Sequence, residues 1–116
     1  MARRLLTPVA VATALVALLL SGAAQAGEDV VEVEMLDYGF HPAELEVTVG
    51  TTVRWVSAEK RTSHDVYFPD EDTGSPRLFP DESWERTFEE PGTYEYYCQP
   101  HENRDMRGVI RVVEAE

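Results

Sequence analysis

The sequence predicts an all-β fold, a Greek-key sandwich or barrel of about seven to eight short strands. Three observations predict it. Apolar and polar residues alternate in short runs, glycine and proline punctuate the gaps between runs, and no segment after residue 26 carries a convincing helical period.

Val31, Val33 and Met35 alternate with Glu32 and Glu34, the period-two pattern of a strand with one buried face. Leu45, Val47 and Val49 repeat it against Glu44, Glu46 and Thr48, and Gly50 turns the chain into Val53-Arg54-Trp55-Val56. His64-Asp65-Val66-Tyr67-Phe68 is the next β-rich run. The polar stretch from Pro69 to Glu82 is expected to be a long surface crossover, with Asp70, Glu71 and Asp72 facing solvent. Trp84 to Phe88 resumes a strand. Arg86 falls there on the face of Trp84 and Phe88, so either it snorkels along an edge or a bulge shifts the register. Pro91-Gly92 is a turn signal, and Thr93 to Cys98 and Val109 to Val113 complete the set. Met35, Trp55, Trp84, Tyr94 and Tyr96 are expected in the core, and His41 at the surface.

The first 26 residues have the pattern of an export signal. Arg3 and Arg4 form a basic start, Val9 to Leu20 is an almost unbroken apolar run, and Ala24-Gln25-Ala26 is a small-x-small cleavage site. The apolar run is short for a bilayer span of about 20 residues, and Ala23 stands where a lipidated cysteine would be. Residues 27–116 are then one small domain, exported, with no stable membrane insertion after cleavage, and expected to be a monomer. That domain keeps 8 basic against 22 acidic residues, a net charge of −14. Such a surface argues against nucleic acid and anionic lipid, and suits redox partners with basic docking surfaces or, equally, plain solubility in a salty medium.

Chemistry concentrates after the penultimate strand. Cys98, the only cysteine, is followed by His101 and Met106 in a C-x2-H-x4-M pattern on one loop. A lone thiol in an oxidising compartment has no disulfide partner and is exposed to oxidation unless a metal protects it. Thiolate and thioether suit Cu(I), imidazole suits both copper states, and His64 supplies a second imidazole. His64, Cys98, His101 and Met106 make the blue-copper set of two His, one Cys and a weak axial Met. A buried structural cysteine beside a surface histidine is the plainer alternative. Zinc would leave Met106 without a role.

From these motifs the chain resembles the type I copper proteins of the cupredoxin superfamily, in the plastocyanin, pseudoazurin and halocyanin group. Phe40-His41-Pro42-Ala43, Gly50-Thr51-Thr52-Val53-Arg54-Trp55, His64-Asp65-Val66, and Pro91 through His101 closed by Met106-Arg107-Gly108-Val109 carry the resemblance. It implies a cupredoxin-like sandwich with one copper ion per chain at one end and single-electron transfer between redox partners. Relatives commonly have Asn after the first histidine and Ser or Thr after the cysteine, joining the two ligand loops. Asp65 and Gln99 stand there instead. Relatives also surround the loop histidine with small or apolar residues, where this chain has Glu102, Asn103, Arg104 and Asp105.

A mobile electron carrier is therefore expected, with a copper carrier or chaperone as the alternative. Three histidines in all are too few for a type I site plus the further copper centres of an oxidase or nitrite reductase, so no catalytic residue is assigned. A cysteine nucleophile would need a base in reach, which this strand-loop context does not offer.

Overall fold

The computed structural model describes residues 29–116, so the export signal assigned to residues 1–26 lies outside the described residues. Nine strands follow in chain order: β1 (Val30–Leu36), β2 (Gly39–His41), β3 (Glu44–Thr48), β4 (Thr52–Ser57), β5 (Tyr67–Phe68), β6 (Thr73–Gly74), β7 (Ser83–Thr87), β8 (Gly92–Tyr97) and β9 (Arg107–Val113). They form a four-stranded sheet, β2-β1-β4-β7, and a five-stranded sheet, β3-β9-β8-β5-β6.

The alternating residues point inward as expected. Val33 and Met35 from β1, Val53 and Trp55 from β4, Val47 from β3, Tyr96 from β8, and Ile110 and Val112 from β9 share one buried cluster between the sheets. Trp55 is central, with Phe68 and Tyr96 meeting it edge to face at 6.1 and 5.4 Å between ring centres. Trp84 and Tyr94, expected inside, pack on the rim of the cluster and are only partly buried.

Pairing is not purely antiparallel. β1 runs parallel to β4, with Val33 opposite Trp55, and β3 runs parallel to β9. The chain leaves the first sheet after β2 and returns to it at β4. It therefore re-enters beside β1 in the same direction, as a crossover between parallel neighbours requires. The stretch from Pro69 to Glu82 is also more ordered than its composition implies. It holds β6, and Leu78 bridges back to His64 with both backbone hydrogen bonds made, at 2.9 and 2.7 Å.

Arg86 keeps the register, pairing with Val53, so there is no bulge. β7 is an edge strand, and the guanidinium lies over Phe68 and Phe88, both 4.6 Å from the ring centres, and over Tyr94. Glu71 closes the arrangement with two hydrogen bonds to Arg86 of 2.8 and 2.9 Å. Arg86→Ala uncovers three rings and releases the acidic loop, with an expected loss of about 2 kcal/mol in urea unfolding. The Arg86 hydrogen bonds hold the Glu71 carboxyl below its ordinary range. Its contribution is therefore complete above the unfolded carboxyl pKa and disappears as pH falls through the lower folded value. The carboxylate side chain is 40% exposed, so the effect is at most about 1 kcal/mol. Glu71→Gln should remove that part of the acid dependence, read from unfolding midpoints across pH 3 to 6 (roughly the carboxyl range).

Candidate metal centre

β8 delivers Cys98 to the end of the sandwich, and a short 3-10 turn over Gln99–Arg104 brings the chain round to β9. Pro100 opens that turn, where its missing N–H leaves no donor unsatisfied. Asp105 then takes a left-handed conformation, φ 60°, and directs the chain back. The loop is closed by its own backbone. The Cys98 N–H donates to the Met106 carbonyl at 3.0 Å, and the His101 N–H to the Cys98 carbonyl at 3.1 Å. Cys98 and Met106 are both fully buried.

His64 arrives from the opposite side, pinned by its two-way bridge to Leu78 and fully buried. Ligand atoms of His64, Cys98 and His101 lie within 4.8 Å of one another. The Cys98 sulfur is 3.7 Å from Nδ1 of His64 and 3.4 Å from Nδ1 of His101, and those two nitrogens are 3.2 Å apart. His41 stays apart, with its ring Nε2 2.9 Å from the Leu36 carbonyl oxygen.

Glu59, which the sequence did not single out, organises the cluster. Its Oε2 sits 2.9 Å from Nε2 of His64 and accepts the Asp37 backbone N–H at 2.9 Å. A carboxylate accepts only, so Nε2 of His64 carries the proton and Nδ1 presents a lone pair to the cluster. Two ring nitrogens and a sulfur facing inward at these separations repel unless a proton or a cation lies between them. Soft sulfur, two imidazoles and a buried thioether on the same loop fit copper. Burial pushes the Cys98 thiol up, so an entering metal must displace its proton. Burial also holds His101 below the ordinary imidazole range, and His64 and Arg104 push in the same direction.

The link between the ligand loops is rebuilt by this chain's own residues. Oδ1 of Asp65 accepts the Gln99 backbone N–H at 2.7 Å, and Asp65 is only 6% exposed. Burial raises the Asp65 carboxyl, so its charged form weakens the fold at neutral pH, and lowering the pH towards the raised folded value relieves that penalty. Asp65→Asn keeps an acceptor and removes the charge. The metal-free variant should be more stable than the parent at pH 7, and the copper potential should rise. Asp65→Ala leaves the amide without a partner, with an expected cost of about 1–3 kcal/mol. Urea unfolding and voltammetry check both variants.

Tyr38 and Arg104 cover the exposed side of His101. Tyr38 meets the imidazole edge to face at 4.9 Å, and the Arg104 guanidinium lies 4.0 Å over the Tyr38 ring. Neither pairing has a sequence signal, because it joins the β1–β2 turn to a loop more than sixty residues later.

A family model described as a cupredoxin-like domain matches residues 9–112. Plastocyanin from Physcomitrium patens is 36% identical over 85 residues, covering 64% of this chain and 50% of that protein. The chain thus spans half the length of that relative. Amicyanin from Paracoccus denitrificans is 33% identical over 95 residues, covering 78% of this chain and 70% of the other. Among solved structures, an oxidised amicyanin mutant superposes with a TM-score of 0.66 at 31% identity, covering 71% of this chain and 80% of that one. A copper-containing nitrite reductase from Thermus scotoductus gives a TM-score of 0.67 at 35% identity, over 74% of this chain and only 23% of the enzyme. With the fold, the inward set of His64, Cys98 and His101 and these matches in agreement, the chain belongs to the cupredoxin-like family.

Proposed function

We propose that this protein is a mobile single-electron carrier outside the cytoplasm, with His64, Cys98, His101 and Met106 as the ligands of one copper ion. The convergence of Nδ1 of His64, Sγ of Cys98 and Nδ1 of His101 on one buried point carries this reading. Bound copper supplies reversible one-electron exchange. Cys98 would supply the strong thiolate bond and the coupling into β8, and Met106 a weaker thioether ligand that would tune the potential. Glu59 and Asp65 hold the ligand loops, so little has to move when the charge state changes.

A copper carrier is the weaker reading. Handing over an ion requires an open position, whereas His64 and Cys98 are fully buried and only His101 is partly exposed. Catalysis is not assigned, since the nitrite reductase likeness covers 23% of that enzyme. The export signal over residues 1–26, the single domain over 27–116, the monomeric state and the extracytoplasmic site are part of the same proposal. Partners are redox proteins, and the net acidity of the chain suits long-range attraction to basic ones.

The test is a visible spectrum of residues 27–116 with Cu(II). An intense blue or green band that bleaches with ascorbate and returns on reoxidation supports the carrier. A colourless protein that binds Cu(I) supports the copper-carrier reading instead.

A further inference from the structure

Charge is distributed unevenly over this acidic molecule. The residues around the metal centre are Asp37–Tyr38, the loop from Ala58 to Asp65, the stretch from Ser75 to Glu82, and the loop from Cys98 to Arg107. These segments hold Lys60, Arg61, Arg77, Arg104 and Arg107 against seven carboxylates. The other described residues hold three arginines against fourteen carboxylates. Those three, Arg54, Arg86 and Arg111, are all in ion pairs. At the metal end only Arg107 is paired, with Asp105. Among the described residues, Lys60, Arg61, Arg77 and Arg104 have no carboxylate within 4.0 Å and are exposed.

Four of the seven carboxylates there are already engaged, Glu59 with His64, Asp65 with Gln99, Glu82 with the Phe79 backbone N–H and Asp105 with Arg107. Arg77 donates to the Ser63 hydroxyl, and Arg104 stacks on Tyr38. Two of the four large apolar residues exposed on the described surface, Tyr38 and Phe79, lie at this same end, 37% and 54% exposed. Exposed aromatics with unpaired arginine around a redox ligand have the composition of an interface core.

Resting on the electron-carrier reading, we propose that Tyr38, Phe79, Arg77 and Arg104 form the docking face around His101, and that it receives a redox protein presenting carboxylates around an apolar centre. A strongly basic partner is drawn to the acidic body, away from His101. A carboxylate-bearing partner is repelled by that body and finds complementary charge only at the metal end, so the body's acidity orients the encounter. This reverses the partner charge that net composition implies.

The test follows oxidation of the copper(I) form of residues 27–116 by two outer-sphere oxidants. One is anionic hexacyanoferrate(III), the other a cationic tris(phenanthroline)cobalt(III) complex. Each takes one electron from the protein and is itself reduced by one. At about 0.1 M ionic strength the screening length is about 10 Å, so each probe responds to the end it touches rather than to net charge. Arg77→Glu and Arg104→Glu should each slow the anionic probe roughly tenfold and speed the cationic one. Arg61→Glu, outside the ligand loop, should act in the same direction and more weakly. Glu89→Lys/Glu90→Lys, at the far end of β8 and roughly 20 Å from Cys98, should leave both rates unchanged. NMR shifts caused by an acidic ferredoxin should fall on Tyr38, Arg77 and Arg104. Rates that follow net charge wherever it is changed, or ferredoxin shifts on the outer face of the β2-β1-β4-β7 sheet, overturn the docking face alone. A parent protein with no copper band overturns the carrier reading and the docking face together.

Discussion

Cys98→Ser abolishes the intense visible band while the domain stays folded. The band arises from charge transfer between thiolate sulfur and Cu(II), and a hydroxyl oxygen supplies no comparable donor orbital. The loss is therefore complete rather than graded. Folding is spared because sulfur to oxygen is a small volume change at the buried position, and the backbone bonds that close the loop do not use the side chain. Serine still leaves His64 and His101 facing inward, so Cu(II) is expected to bind weakly with the pale absorption of a nitrogen and oxygen site. Far-ultraviolet circular dichroism identical to the parent, together with loss of the band, is the expected pair of results. A strong band surviving in Cys98→Ser would mean that Cys98 is not the ligand.

Much of the fold was legible because its signals are local. Val31-Val33-Met35 and Leu45-Val47-Val49 declare their buried faces by alternation alone, and both runs lie on strands β1 and β3 or directly beside their ends. The parallel pairing of β1 with β4 was not legible, since alternation states which face is buried but not which neighbour lies alongside. Leu78 was passed over because it sits alone in a polar stretch, and only its bridge to His64 explains its burial.

The site divides the same way. Cys98, His101 and Met106 share one loop and announce themselves by spacing, while His64 was reached by asking which imidazole the metal still lacked. Tyr38 meets His101 and Arg104 from a segment more than sixty residues away, which no spacing rule reaches, while Glu59 lies only five residues before His64 and carries no motif that marks it as its partner. Arg86 is an intermediate case. The sequence posed its conflict correctly, and the three rings beneath the guanidinium resolve it.

Trp55→Ala should cost about 3–5 kcal/mol, against a total stability of roughly 5–15 kcal/mol for a domain of this kind. Trp55 is fully buried and meets Phe68, Trp84, Phe88 and Tyr96, so its removal opens a cavity where both sheets meet. Collapse into that cavity is limited, because Tyr96 is held from the other side. A methyl group on Gly108 would lie only 2.4 Å from the Tyr96 ring, which shows how closely β9 already approaches it. Trp55→Phe should cost less, since it keeps most of the ring and removes an indole N–H that has no hydrogen-bond partner. The damage extends to the metal centre, because Tyr96 on β8 lies two residues before Cys98, which directly follows that strand. Copper binds the folded state, so it should raise the unfolding midpoint of the weakened variant by mass action. The expected result is a Trp55→Ala protein largely unfolded without metal near its parent's working temperature, and substantially refolded with the visible band restored when copper is added. A variant that melts at the same temperature with and without copper would show that the metal centre and the core around Trp55 are not thermodynamically linked.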